Sequence, residues 1–138
     1  MRSLFILLWS GAIFIATCTA SFNSFIDSGD VQFRWNSYPE IVNLLAPLPL
    51  DLNSAFLLQK CGHALAFLIL TLLLQTKFQS KLFILFLAIC YSSLTEFLQL
   101  YFTRDGRIFD IGFDLVGVLF ALAAGSLLTV HQSRHTEL

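Results

Sequence analysis

The sequence predicts an all-α fold: a four-helix transmembrane bundle with a long interfacial loop between its first and second helices. Two properties of the 138-residue chain lead to this expectation: 57% of the residues are hydrophobic and only 12% are charged. Soluble domains carry roughly a quarter charged residues, and fifteen phenylalanines would be hard to bury in so small a soluble core. The apolar residues also fall into four segments, each about long enough to form a membrane-spanning helix.

The first predicted helix covers about residues 4–20, which contain no charged side chain, and Arg2 lies just before it. A spanning helix needs about 20 apolar residues, so this segment is near the lower limit. A basic start, an apolar run and the sequence Cys18-Thr19-Ala20 are also typical of a cleaved signal peptide. We favour a retained helix, because the apolar run is long and a fourth helix completes the bundle.

Residues 21–54 predict a connection between spans, because the segment is polar at its start and contains all three prolines of the chain. Trp35 and Tyr38 within it are residue types that favour the lipid headgroup zone. We therefore expect an interfacial loop, with a short helix from about Glu40 to Leu45. An ordered cap over the ends of the helices is compatible with the same pattern.

The other three helices are predicted at about residues 55–75, 82–102 and 111–130, within a single domain that covers residues 1–138. Each carries polar side chains near one end or in the loop before it: Lys60, His63, Glu96, Gln99, Arg104, Asp110 and Asp114. Because successive helices alternate in direction, these ends should meet at one face of the bilayer. A bilayer disfavours ionisable groups, so the residues kept there are functional candidates.

Spacing predicts which of these side chains share a helix face. Lys60 and His63 are three residues apart, as are Glu96 and Gln99, so each pair lies on one face. Glu96 should lie too deep for its carboxylate to reach water, so it needs a partner, which Lys60, His63 or Arg104 could supply. Lys60 alone could also be explained as a side chain that snorkels to the headgroups.

The start of the last helix carries Asp110 and Asp114, four residues apart. Asp110 is equally well explained as the N-cap of the helix. Asp114 lies inside the helix and is the better functional candidate, and we expect it near the aqueous rim. Further along, Gly117, Ala121 and Gly125 form a stripe of small residues that would let another helix approach closely.

The basic residues predict the orientation of the bundle. One side of the membrane receives four of them, Arg2, Lys77, Lys81 and Arg134, and the other side receives Arg34, Lys60, Arg104 and Arg107. The count is balanced, and a bias appears only when Lys60 and Arg104 are assigned to a site. The first side is then cytoplasmic, which places both termini in the cytoplasm and the polar site on the outward face.

The composition argues against several partners. The net charge is −1 and there is no basic tract, so we expect no nucleic-acid partner. The three cysteines, Cys18, Cys61 and Cys90, form no CxxC pair and have no metal-ligand spacing. The sequence therefore predicts buried free thiols, no metal and no cofactor.

The ordered set of polar residues resembles the VanZ-like family of small integral membrane proteins, the teicoplanin-resistance protein family. That family has a Lys-x-x-His at the start of one helix, which Lys60 and His63 match. It has a Glu-x-x-Gln at the end of the next helix, which Glu96 and Gln99 match. The resemblance covers roughly residues 55–125.

The family pattern continues with an Arg in the next loop, then an Asp, an Asn and a Gly at fixed intervals. Arg104, Asp110, Asp114 and Gly117 have that spacing, whereas Arg107 is out of register. The sequence departs from the family in having Asp114 at the Asn position. It also departs at two other positions, where the family usually has an acid and a tyrosine: Gln59 and Phe67.

The resemblance implies an integral protein of the bacterial cytoplasmic membrane with a role in the cell envelope, but it implies no reaction. The first hypothesis is that the site binds or remodels a lipid headgroup, a lipid-linked envelope precursor or an anionic glycopeptide-type ligand. Lys60, Arg104 and protonated His63 would contact phosphate or carboxylate, with membrane lipids as the partners.

Two alternatives stay open from the sequence. The protein could be an intramembrane enzyme that acts on a lipid-linked substrate, with His63, Glu96 and Asp114 as the catalytic candidates. His63 would then transfer protons while Lys60 and Arg104 stabilise phosphoryl charge. The polar residues could instead form a purely structural network that fixes the packing of the helices.

Overall fold

The described part of the protein, residues 1–48 and 54–136 of a computed structural model, contains helices and no strand. The four long helices are α1 (Arg2–Cys18), α3 (Ser54–Gln75), α4 (Lys81–Tyr101) and α5 (Ile108–Thr136). The connection between α1 and α3 contains the short helix α2 (Phe22–Ser28) and a 3₁₀ helix (Ile41–Leu45). The predicted all-α class is confirmed.

Three of the helices are long and apolar enough to cross a membrane. The segments Phe56–Gln75, Lys81–Tyr101 and Ile108–Leu127 are 20 or 21 residues long, with mean hydropathy from 1.7 to 1.9. Only 28% to 33% of each segment is buried inside the protein, and large side chains such as Phe86 and Phe120 point outward, 61% and 67% exposed. So much exposed apolar surface is not stable in water. The protein is therefore an integral membrane protein. Helix α1 is also apolar, but with 17 residues it is shorter than these three segments.

Helices α3 and α5 form the most extensive contact in the molecule, and small residues allow it. At Gly117, a side-chain Cβ would overlap the main-chain carbonyl of Ala64 in α3. Ala121 is 1% exposed, and its carbonyl accepts a hydrogen bond of 2.9 Å from Gln75 Nε2. A Cβ at Gly125 would meet the same Gln75 side chain. The small-residue stripe predicted from the sequence thus faces α3.

Helix α1 is attached to the bundle by two side-chain hydrogen bonds as well as by apolar packing. Trp9 Nε1 donates to the carbonyl of Ala66 at 2.9 Å, and the Tyr91 hydroxyl donates to the carbonyl of Ser10 at 2.5 Å. Both acceptors are main-chain carbonyls, so these bonds fix the position of α1 against α3 and α4. The apolar core beneath them consists of Ile13, Phe67, Leu70, Leu74, Ile84, Ala88 and Val118.

The connection between α1 and α3 is more ordered than a simple loop. The 3₁₀ helix Ile41–Leu45 agrees with the predicted short helix, but α2 was not predicted. Helix α2 begins where the Ser21 hydroxyl accepts a hydrogen bond from the Ser24 N–H, and it ends at Gly29, whose φ of 71° is left-handed. Such hydroxyl and glycine caps are local signals of a short helix. Residues 49–53 of the predicted loop lie outside the described residues.

The middle of this connection packs over the end of α4 as a cap. The Asn36 N–H donates to the carbonyl of Tyr101 at 2.7 Å, at the last residue of α4. The rings of Phe33 and Trp35 each lie 5.4 Å from the ring of Phe102, measured between centroids. The ordered cap that the sequence left open is the arrangement that the structure has.

The predicted helix boundaries were correct to within two residues for α1, α3 and α4, but not for α5. This helix begins at Ile108 rather than residue 111, and it continues to Thr136 rather than residue 130. Asp110 is therefore the third residue of α5, and its interpretation as an N-cap is wrong. No proline or glycine follows Gly125 to stop the helix, which explains its greater length.

Candidate functional site

Six of the seven predicted polar residues come together at one end of the bundle. Helix α3 supplies Lys60 and His63, α4 supplies Glu96 and Gln99, and α5 supplies Asp110 and Asp114. Five of them are between 0% and 5% exposed, and the His63 side chain is 10% exposed. These six residues form the polar cluster, which is thus nearly closed to solvent and lipid.

Lys60 and Asp110 form the first part of the polar cluster. Lys60 Nζ lies 2.6 Å from Asp110 Oδ1, and it also lies 5.0 Å and 5.4 Å from the ring centroids of Phe56 and Phe109. The aromatic faces add a favourable interaction with the cation. Lys60 therefore neutralises a buried carboxylate and does not snorkel to the headgroups.

His63, Asp114 and Ser92 form the second part. His63 Nδ1 lies 3.2 Å from Asp114 Oδ1, and the Ser92 hydroxyl donates to Asp114 Oδ2 at 2.6 Å. Asp114 is 0% exposed, so the sequence expectation that it lies near the aqueous rim is wrong. Its two bonds compensate for the loss of hydration that burial imposes.

Glu96 is held mainly by neutral donors. Gln99 Nε2 donates to Glu96 Oε1 at 2.8 Å, and the main-chain N–H of Arg107 donates to Glu96 Oε2 at 2.8 Å. Of the three partners predicted for Glu96, only His63 is near, with Nδ1 4.0 Å from Oε1. Gly106 makes the Arg107 contact possible, because a Cβ there would overlap the main-chain carbonyl of Glu96.

His63, Glu96 and Asp114 also present a set of atoms that could hold a metal ion. The imidazole nitrogen of His63 and one carboxylate oxygen from each acid all lie within 4.8 Å of one another. Nitrogen and carboxylate oxygen are ligands for divalent transition metals. The sequence offered a histidine and several carboxylates at one end of the bundle, but on different helices and without a metal-ligand spacing, so it predicted no metal site.

Arg104, the seventh predicted residue, lies apart from the acids. Its main-chain N–H donates to the carbonyl of Gln99 at 2.9 Å, and its guanidinium Nη1 lies 3.5 Å from the carbonyl of Ala20. Within residues 1–48 and 54–136, no acidic side chain forms an ion pair with Arg104. Among these residues the guanidinium therefore contacts a carbonyl and no carboxylate, and the side chain is only partly buried.

Arg104 and His63 border a common cavity of about 150 Å³ between α1, α3 and the turn that follows α4. The lining is mostly apolar and consists of Ile13, Ala16, Thr17, Gln59, Gly62, His63, Ala66, Phe67 and Arg104. His63 Nδ1 faces the two acids, which leaves Nε2, on the other side of the ring, without a protein hydrogen-bond partner among the described residues. The cavity is therefore a largely apolar space with one fixed cation and one imidazole at its border.

Two contributors to the site were missed from the sequence. Ser92 lies four residues before Glu96 and shares its helix face, so its spacing offered a signal. Arg107 contributes its main-chain N–H to the site. A main-chain donor leaves no signature in residue type, and only the fold of the turn around Gly106 reveals it.

A search among known proteins finds a relative that is also a membrane protein. The chain is 33% identical over 120 residues to the Bacillus subtilis (strain 168) protein named Uncharacterized membrane protein YwnJ. The matched region covers 86% of this chain and 85% of the relative. No family model matches the chain, and no solved structure matches it.

Proposed function

The chain belongs to the family of the Bacillus subtilis membrane protein YwnJ, and we propose that it binds the anionic headgroup of a membrane lipid beside Arg104 and His63. One observation carries this proposal: a guanidinium with no acidic partner among the described residues borders a largely apolar cavity of about 150 Å³. The resemblance of the polar residues to the VanZ-like pattern supports an envelope lipid as the ligand.

The chemistry of the cavity suits the junction between a headgroup and its hydrocarbon chain. The planar guanidinium of Arg104 can donate two parallel hydrogen bonds to phosphate or carboxylate oxygens. Apolar residues such as Ile13 and Phe67 offer a surface for the first carbons of the chain. A phospholipid and a lipid-linked envelope precursor share this arrangement of a phosphate on an apolar chain. A soluble anionic antibiotic shares only the anion, so it should not need the apolar walls.

In the proposed orientation, α1 is a fourth span, both termini are cytoplasmic and the polar cluster faces outward. Arg2 donates a hydrogen bond of 2.8 Å to the carbonyl of Thr76, and Lys81 contacts Ser126, so these basic residues collect at the end opposite the polar cluster. Such residues favour the cytoplasmic side. Trp35 and Tyr38, 61% and 91% exposed, then lie at the outer headgroup zone.

This orientation predicts the outcome of a reporter experiment. A reporter that is active only in the cytoplasm should be active when fused after the C-terminus. An export-dependent reporter inserted after Ser28, in the exposed part of the connection, should be active as well. The reverse pair of activities would place the polar cluster on the cytoplasmic face and contradict the outward site.

Replacement of Arg104 by Ala is expected to weaken the binding of anionic lipid. Hydrogen bonds to charged groups contribute about 1.5–3 kcal/mol, which corresponds to roughly a 10- to 150-fold loss of affinity. Native mass spectrometry of the purified protein would count retained phosphatidylglycerol, a phosphate-containing lipid precursor or a soluble glycopeptide, each supplied separately. Arg104→Lys should retain part of the binding.

Arg34→Ala is the matched control, because Arg34 is exposed in the same connection and does not line the cavity. It should bind lipid as the unmodified protein does. Equal lipid retention by the Arg104→Ala and Arg34→Ala variants, with both variants folded, would contradict the proposal. Retention of the soluble glycopeptide alone would replace the lipid with a soluble anion as the ligand.

A second function is favoured by the orientation of His63. Asp114 holds Nδ1 and leaves Nε2 directed away from the acids, which is the arrangement of a histidine that transfers protons in an enzyme. The protein would then be an intramembrane enzyme acting on the lipid in the cavity. The same mass measurements separate the two functions, since an unaltered lipid mass after incubation indicates binding and a loss of the headgroup indicates catalysis.

A further inference from the structure

We propose that His63, Glu96 and Asp114 bind one divalent transition-metal ion, such as Zn²⁺ or Mn²⁺. His63 Nδ1 lies 3.2 Å from Asp114 Oδ1 and 4.0 Å from Glu96 Oε1, and all three ligand atoms lie within 4.8 Å of one another. An ion with bonds of about 2.0–2.2 Å needs ligand atoms roughly 3–3.5 Å apart. A small inward rotation of Glu96 would bring the three atoms to those separations.

The balance of buried charge is an independent reason for a cation at this place. Among the residues that the structure describes, three carboxylates are between 0% and 2% exposed, those of Glu96, Asp110 and Asp114, and Lys60 is the one amine buried with them. Lys60 pairs with Asp110, which leaves Glu96 and Asp114 without a cation while His63 is neutral. Uncompensated buried charge is costly. A divalent ion would cancel both charges. Protonation of both carboxylates is the alternative that would also cancel them.

Neighbouring hydrogen-bond donors hold the two carboxylates of the proposed ligand set in place. Ser92 donates to Asp114 Oδ2 at 2.6 Å, and the Arg107 N–H donates to Glu96 Oε2 at 2.8 Å. Both donors bind the oxygen that does not face His63. Glu96 Oε1, which faces the imidazole, accepts a hydrogen bond of 2.8 Å from Gln99 Nε2 and keeps a lone pair for an ion. Partners of this kind orient metal ligands and tune their affinity.

Metal binding would also fix the protonation of His63. A nitrogen that binds a metal carries no proton, so the ion at Nδ1 requires the tautomer with its proton on Nε2. The inference needs no lipid, because Arg104 takes no part in the ligand set. Arg104→Ala should therefore leave metal binding unchanged, and failure of the lipid proposal would not remove the metal site.

The experiment uses the full chain in detergent with His131→Gln and His135→Gln, so that His63 is the only imidazole present. The protein is stripped with a chelator, reloaded with Zn²⁺ or Mn²⁺ and freed of unbound ion. Elemental analysis should find about one equivalent, as for a site with three protein ligands. The Mn²⁺ sample should show the electron spin-echo modulation of a directly bound imidazole nitrogen.

Asp114→Asn in the same background should lower the affinity by roughly tenfold or more, and Asp105→Asn, whose side chain is 87% exposed, should not change it. Equal metal content in the Asp114→Asn and Asp105→Asn proteins would overturn the proposal. If Asp114→Asn does not fold, the nitrogen modulation in the parent background decides. Its presence supports the site, and its absence shows that protons balance the charge instead.

Discussion

Gly117→Ala is expected to lower the free energy of unfolding by about 1–3 kcal/mol, the range for an overpacked core. The reason is contact, not backbone conformation, because Gly117 does not have a positive φ. The added Cβ would overlap the main-chain carbonyl of Ala64. A carbonyl within a helix cannot rotate away as a flexible side chain can. Helices α3 and α5 must therefore move apart, which weakens the contact between them.

The measurement is thermal or detergent-induced unfolding followed by circular dichroism in one micelle system. Gly112→Ala is the matched control, since Gly112 lies in the same helix and a Cβ there meets nothing within 4 Å. That change should be neutral or stabilising, because Ala favours a helix over Gly. Equal effects of the two substitutions would show that the close approach of α3 and α5 does not hold the bundle together.

Asp110→Ala is expected to cost about 3–5 kcal/mol, because it would leave the Lys60 ammonium buried without its partner. The pair lies 2.6 Å apart, with side chains 6% and 3% exposed. Lys60→Met in the same protein should recover much of the loss, since replacing both charges by apolar groups is often neutral. The double variant should therefore be more stable than Asp110→Ala alone.

A double-mutant cycle over the two single variants and the double variant measures this coupling. Asp105→Ala is the control for loss of an acid, because the Asp105 side chain is 87% exposed and its arginine contact of 3.9 Å is at the surface. Additive effects of Lys60→Met and Asp110→Ala would contradict the ion pair. A large coupling in an otherwise folded protein would establish it.

The sequence was sufficient for the four long helices and for most of the polar cluster, because both leave local patterns in the chain. Apolar segments of fixed length and polar residues at helix ends are local patterns, and alternation of direction brings the ends together. The small-residue stripe likewise predicted the face of α5 that approaches α3. Lys60, His63, Glu96 and Asp114 could be placed at one end of the bundle by this reasoning alone.

The pairing within the cluster could not be predicted, because it depends on the rotation of each helix about its axis. Lys60 binds Asp110 and His63 binds Asp114, whereas spacing alone allowed either cation to meet Glu96. The depth of Asp114 was misjudged for a similar reason. Helix α5 begins three residues earlier than predicted, which moves Asp114 deeper along the helix.

The metal-ligand set and the cap over α4 depend on contacts between residues far apart in the chain. His63, Glu96 and Asp114 meet only when three helices are packed. The hydrogen bond between the Asn36 N–H and the Tyr101 carbonyl uses main-chain atoms. Residue type placed the three ligands at one end of the bundle, but the distances between their side chains and the main-chain contact of the cap required the folded structure.

Photochemical labelling would show whether an anionic lipid occupies the cavity beside Arg104. Two phospholipids with the same diazirine-bearing chain, phosphatidylglycerol and phosphatidylcholine, would be activated around the unmodified protein, and the labelled residues mapped by mass spectrometry. The anionic lipid should label Ile13, Ala16 and Ala66 in the cavity more than the zwitterionic lipid does. Both lipids should label Leu119, on the outer face of α5, equally. The same labelling pattern from both lipids would contradict the lipid proposal.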